Sequence, residues 1–367
     1  MHDLISQILN GLQLGSLYAL IALGYTMVYG VLKLINFAHG DVYMVGSYVG
    51  MFSLAFLEEK LHIVPNSLLE GIAILLIAMS ACAVLGVLIE KSAYQPLRKN
   101  TWVAPTIMLG FPSAYIAIQI AMDSNRTPTS SFVIGAVVFA LIAWLLFQRH
   151  KSGITPRPNR LTALITAIGV SIFLENFGVL PQIFGSDPSS INFTMPDAAK
   201  VGGFSYDPRT FAVFGISLFL MLVLSYTVGK TKIGRAIRAV SFDADAAALM
   251  GINTDRVISI TFGIGAALAG AAAVIVPVLT ETSFTPYVGA AFGLKAFVAA
   301  VLGGIGNIPG AMLGGLIMGL AETLAVAYGP LVGIPSTYRD AVAFVILIVI
   351  LLFRPAGILG KFVPEKV

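Results

Sequence analysis

Lys230-Thr-Lys-Ile-Gly-Arg-Ala-Ile-Arg-Ala-Val-Ser-Phe-Asp-Ala-Asp-Ala-Ala-Ala-Leu-Met-Gly-Ile-Asn-Thr-Asp-Arg256 is a charged island in an oily sequence. It opens with Lys230, Lys232, Arg235 and Arg238 and continues as an Ala-rich run. Ser241 or Asp243 suits the start of a short helix, because a side-chain oxygen there accepts a free first-turn N–H. Ala244, Ala246, Ala247, Ala248, Leu249 and Met250 are good helix formers. Gly251 suits the position just past the end, where a left-handed residue closes the last turn. Arg235 and Arg238, three apart, share a helix face. Apolar stretches flank the island at 210–229 and 257–280, each long enough to cross a bilayer of about 30 Å hydrocarbon thickness. The island therefore reads as a capped, solvent-facing element between two membrane spans.

Working outward, the whole chain has the same oily character. Hydrophobic residues make up 57% and charged residues 11%, with a mean hydropathy of +0.90. Soluble domains carry about 25% charged residues. The expected fold is an all-α polytopic membrane protein forming a single transmembrane domain over 1–367. The short alternating strands of a membrane β-barrel are missing. About eleven helices are expected, near 5–32, 41–57, 68–90, 103–121, 131–147, 161–183, 210–229, 257–280, 287–303, 309–328 and 339–354. The second and ninth are short or re-entrant. The first apolar stretch is too long for a signal-peptide core and has no cationic region before it. Cys82 is the lone cysteine, so no intrachain disulfide forms.

Cations orient the spans. One side collects Lys33, Lys91, Arg98, Lys99, Arg149, Lys151, Arg157, Arg160, the island with Arg256, and Arg354, Lys361 and Lys366. These are 16 of the 22 Lys and Arg residues, and their side is read as cytoplasmic. The C-terminus then lies inside and, with eleven spans, the N-terminus outside. The longest outward loop, Gly185–Arg209, is either a plain connector or a surface for an extracytoplasmic partner.

By itself the island fits two readings equally: a docking element for a soluble partner, or a loop made basic by orientation alone. A resemblance separates them. Gly234-Arg-Ala-Ile-Arg-Ala followed by Ala248-Leu-Met-Gly-Ile-Asn resembles the cytoplasmic loop of branched-chain amino acid ABC transporter permeases of the LivH type. Three other segments agree: Gly11–Gly30 with Ile35-Asn-Phe-Ala-His-Gly-Asp41, Leu164–Asn176, and Lys295–Gly310. The likeness covers roughly 1–100 and 160–367. Residues 101–159 depart from it and read as an extra two-helix hairpin, since an insertion between two cytoplasmic loops must cross the membrane an even number of times.

The resemblance implies the permease subunit of a bacterial inner-membrane importer for branched-chain or related amino acids. It implies a second permease subunit, two ATP-binding subunits and an extracytoplasmic binding protein as partners, in a lipid membrane and without nucleic acid. ATP and magnesium belong to the ATPases; no Walker motif, cofactor or metal site is expected in this chain, and it is not an enzyme. Within the island it assigns ATPase docking to Arg235, Arg238, Asp243, Ala247, Leu249, Met250 and Gly251. Urea or short amides are the alternative cargo, and an ion-coupled secondary transporter is the alternative class.

Several residues are candidates for a pathway or gate. Asn36, His39 and Asp41 sit where the first span turns into the second, with Asp41 suited to cap the following helix. Gly304 and Asn307 lie in a second Gly-rich turn, Gly303–Gly310. Glu175, Lys295 and Glu322 fall inside apolar spans, where a charge costs about 2.5–3.5 kcal/mol on insertion scales. Each either lines the path or pairs between helices, and Lys295 and Glu322, on neighbouring spans, are within reach of each other. Small residues crowd 263–273 and 310–319, as close helix packing requires.

Overall fold

Glycine and alanine stripes decide which helices touch. A computed structural model describes residues 2–60, 67–98, 118, 128–151, 160–191, 193, 199–201, 204–206, 208–280, 283–333 and 335–360. Among them are twelve helices: α1 (His2–Leu32), α2 (His39–Glu59), α3 (Leu68–Ile89), α4 (Pro128–Lys151), α5 (Arg160–Val179), α6 (Pro208–Lys230), α7 (Lys232–Phe242), α8 (Ala244–Leu249), α9 (Thr254–Thr280), α10 (Val288–Gly303), α11 (Ile308–Tyr328) and α12 (Arg339–Phe353). A π turn, Glu90–Tyr94, and one α turn, Gln95–Arg98, extend α3. Two three-residue strands, β1 (Ala199–Val201) and β2 (Phe204–Tyr206), pair antiparallel in the long loop.

The chain is an all-α polytopic membrane protein. Seven of its described helical segments are long and apolar enough to cross a membrane, and three shorter apolar helices accompany them. The expected spans match within a few residues. The span expected near 103–121 lies outside the described residues. The span expected near 41–57 is not short: α2 runs His39–Glu59.

α1 and α9 form the centre. Leu17, Leu20, Ile21 and Leu23 are all buried, so α1 is enclosed on every side there, as an all-round apolar core helix should be. Gly11, Gly15 and Ala19 of α1 face Gly315 and Gly319 of α11, at the four-residue spacing that lets backbones meet. Gly24 meets Gly265 of α9, and on the other side of α9 Gly270 rests on Ala78 and Cys82 of α3. The small-residue runs at 263–273 and 310–319 are thus packing faces.

A Cβ on Gly319 would lie 2.1 Å from the Gly15 nitrogen, a backbone atom that cannot swing away. Gly319→Ala is expected to force α1 and α11 apart and cost about 1–3 kcal/mol, the range for overpacking. Gly215→Ala on α6, where nothing lies within 4 Å, is the control and should be neutral or stabilising. Thermal unfolding in detergent checks both; equal melting temperatures would contradict the packing account.

Candidate functional site

The island folds as two short helices at a corner of the chain. Thr231 begins α7: its hydroxyl accepts the Gly234 N–H at 3.1 Å and donates to the Thr227 carbonyl at 2.6 Å. Gly234 allows the corner, because a Cβ there would sit 2.2 Å from the Val228 carbonyl oxygen. Arg238 turns back and donates from Nη1 to the Val228 and Gly229 carbonyls, satisfying the last turn of α6. Asp243 then starts α8, its Oδ1 accepting the Asp245 and Ala246 N–H groups at 3.0 and 2.9 Å. The Gly251 and Ile252 N–H groups return to the Ala248 and Ala247 carbonyls, and Gly251 holds φ of 83°. This doubly bonded ending is the Schellman motif.

The corner presents three apolar side chains to open space: Phe242 is 95% exposed, Leu249 89% and Met250 83%. Ile237, Val240 and Ala247 point inward. The corner is therefore held to the bundle by one apolar face and offers another.

Behind it lies a buried polar junction. Arg98 Nη2 donates to Glu90 Oε1 at 2.7 Å and to Asp255 Oδ1 at 3.1 Å, while Ser259 donates to Glu90 Oε2 at 2.6 Å. Glu90 is fully buried and belongs to the π turn, and Asp255 and Ser259 open α9 directly after the corner. Any displacement of α8 is thereby tied to the end of α3 through charged bonds, the stronger kind.

Deeper in the bundle, the first turns of α2 and α10 meet. A Cβ on Gly40 would lie 2.3 Å from the Gly289 carbonyl oxygen. Beside that contact is a cleft of about 230 Å3, with Phe37, Ile168, Leu294 and Phe297 as apolar walls and Tyr25, Asp41 and Ser171 as polar ones. Asp41 is 1% exposed, and neither carboxylate oxygen has a hydrogen-bond partner. His39, edge-on to the Tyr25 ring with centroids 4.8 Å apart, also keeps a buried, unpartnered Nε2.

Four helices join at a third polar cluster. Glu322 Oε1 accepts from Lys295 Nζ at 2.9 Å and from Arg339 Nε, and Oε2 accepts the Tyr18 hydroxyl at 2.7 Å. Lys295 also meets Asp340 at 2.7 Å. Two cations and two anions close a neutral network.

Comparison with known proteins now adds a decisive observation: the family model described as branched-chain amino acid transport system, permease component, matches residues 7–351. The chain belongs to this family. Among its relatives, the high-affinity branched-chain amino acid transport system permease protein BraD of Pseudomonas aeruginosa is 37% identical, over 100% of this chain and 99% of the relative. The corresponding permease protein LivH of Escherichia coli is 39% identical over 99% of this chain and 97% of its own. More distant is the autoinducer 2 import system permease protein LsrC of Yersinia enterocolitica, 24% identical over 77% of this chain and 82% of its own. No solved structure matches.

Placed in this permease, the expected site residues divide into groups. Arg235, Leu249 and Met250 are exposed at the corner as a docking surface requires. Arg238, Asp243 and Gly251 build the corner instead: one satisfies α6, one caps α8, one ends it. Ala247 is 5% exposed and packs inward, where it holds α8 to the bundle. Phe242, the most exposed apolar side chain of the corner, was absent from the expected set; an aromatic residue inside a polar island was its only signal.

The pathway candidates divide too. Lys295 and Glu322 pair with each other in the network around Glu322. Gly304 and Asn307 form a clasp for the C-terminal tail: Ile358 and Leu359 N–H groups donate to the Leu302 and Gly303 carbonyls, and Asn307 Nδ2 donates to the Leu359 carbonyl at 2.7 Å. A Cβ on Gly304 would strike the Gly360 nitrogen at 2.5 Å, so the turn is filled by chain. Asn36 is buried and accepts the Tyr94 hydroxyl at 3.0 Å, pinning the turn to the end of α3. Asp41 does not cap α2, whose first residues follow Ala38 with no side-chain cap; it stands in the first turn, facing the cleft. Glu175 lies one turn beyond Ser171 on α5, half-exposed and close enough for its charge to act on Asp41.

Proposed function

We propose that this permease is the membrane-spanning subunit of an ABC importer for branched-chain amino acids. It works with a second permease, two ATP-binding subunits and an extracytoplasmic binding protein. The corner at 230–256 faces the cytoplasm, where the ATPases dock on Phe242, Leu249 and Met250, and closure of the ATPase pair pushes it. The observation that carries this reading is the corner itself: a rigidly capped helix pair showing apolar side chains to open space and bonded behind to α3 and α9 through Glu90, Arg98 and Asp255. ATP must favour one of two arrangements of the spans for that push to do work. Residues 101–159 add a membrane hairpin, of which α4 is the second helix.

The test is reconstitution in lipid vesicles with the partner subunits. Leucine uptake is expected to require ATP inside and binding protein outside, and to survive ionophores that collapse proton and sodium gradients. Uptake that runs without ATP and stops with the ionophores would establish an ion-coupled transporter instead.

A further inference from the structure

The cleft where α2 and α10 begin holds a buried carboxylate with no hydrogen-bond partner among the described residues. A charged group taken out of water is ordinarily paired or hydrogen-bonded, because leaving it bare costs several kcal/mol. Asp41 is enclosed, yet neither oxygen makes a hydrogen bond, although Ser171 lines the same cleft. The charges around it deepen the oddity. Glu175, on the neighbouring helix, repels it, and no Lys or Arg lines the cleft. By contrast, two other buried carboxylates, Glu90 and Glu322, are each supplied with a cation and a hydroxyl.

The helix start packed directly against Gly40 and Asp41 supplies the complementary half. Gly289 and Ala290 are in the first turn of α10, a 16-residue helix whose start has no side-chain cap. The first N–H groups of a helix lack partners within it and carry partial positive charge, so they receive anions. Glycine at 289 and 293 keeps that wall bare of side chain. Phe37, Ile168, Leu294 and Phe297 complete the lining and are apolar. A volume of about 230 Å3 is below the roughly 300–1,000 Å3 of drug-sized sites and suits a small solute.

We propose that this cleft is a transit site for a small zwitterion, in which Asp41 receives the α-ammonium group of the cargo, the first turn of α10 receives its carboxylate, and the aromatic and aliphatic walls receive its side chain. The bare Asp41 is then the cost of a site that is filled only when cargo passes. Glu175 adds negative potential at the same wall and favours the ammonium end. The inference rests on the reading of the cargo as an amino acid, and it adds where in the chain that cargo is held.

Ser171→Cys places a thiol on the wall beside Asp41, and the whole transporter carrying it is reconstituted in vesicles. Its modification by a cationic aminoethyl methanethiosulfonate is compared with that by an anionic sulfonatoethyl one, each scaled to its rate with a free thiol. The cationic reagent is expected to react about tenfold faster, equivalent to about 1.4 kcal/mol of preference. Leucine should slow the labelling; 4-methyl-2-oxopentanoate, the same skeleton without the ammonium group, should not. Asp41→Asn in the same background should remove both the preference and the protection.

Equal rates for the two reagents overturn the proposal. So does protection by the keto acid or by sodium ions alone that equals protection by leucine, or an Asp41→Asn transporter that behaves as its parent. Should Asp41→Asn fail to assemble, the reagent preference and the leucine protection in Ser171→Cys alone decide. Cation preference in a transporter that takes up no leucine upholds the ammonium-binding cleft while defeating the cargo reading.

Discussion

Replacing Glu322 with alanine is expected to be the most damaging single substitution in the membrane interior. Its carboxylate is fully buried and accepts from Lys295, Arg339 and Tyr18, which come from α10, from the start of α12 and from α1. Removing one partner of a buried ion pair costs about 3–5 kcal/mol, because the remaining charge stays desolvated. Lys295, 15% exposed, is left with only the largely exposed Asp340 and bears most of that cost; Arg339, 48% exposed, can turn to solvent. The loss is concentrated on α12, whose apolar window is only 6% buried against the rest of the chain and so has little packing to fall back on. A melting temperature lowered by many degrees, with α12 newly open to protease, is the expected outcome. Asp340→Asn should change stability by less than about 1 kcal/mol, since that side chain is largely exposed. A Glu322→Ala protein that melts with its parent would show that packing alone holds α12.

The Lys295–Glu322 pair was legible because both charges interrupt apolar runs on successive spans. Its enlargement was not. Arg339 counts in the sequence as a loop cation at a span boundary, and Tyr18 as one more apolar residue of α1; only tertiary packing brings them to one carboxylate. Glu70 and Glu90 escaped notice for the same reason. Each stands at a helix end, where a charge ordinarily meets water, and each is completely buried in the fold.

The contacts of Gly304 and Asn307 were illegible for a different reason. Their partner is the backbone of Ile358 and Leu359, and backbone hydrogen bonds leave no trace in residue pattern. The helices themselves were easy, since apolar runs near 20 residues and glycine spacing are local properties. The corner was half legible. Its caps followed from Asp243 and Gly251, but whether a side chain faces in or out depends on where α6 and α9 lie. That dependence buries Ala247 and strands Phe242 outside.

Phe242→Asp combined with Leu249→Asp is therefore expected to abolish coupling without disturbing the fold. These side chains are 95% and 89% exposed, so nothing in the bundle loses a contact, and the melting temperature should stay at the parent value. At a protein interface, by contrast, a central apolar anchor is worth about 2 kcal/mol or more. Two anchors replaced by carboxylates, which must also be desolvated on docking, should weaken ATPase binding at least about a thousandfold, at 1.4 kcal/mol per tenfold. Co-purification with the ATP-binding subunits would be lost and ATP-driven leucine uptake would fall to background. The two arginines should separate in the same assay. Arg235→Glu changes an exposed rim charge and should slow association in a salt-dependent way. Arg238→Glu removes the donor to the Val228 and Gly229 carbonyls and should loosen the corner, lowering stability before any partner is added. ATP-driven uptake at the parent rate in the double aspartate variant would rule out the corner as the coupling element, however well it is built for docking.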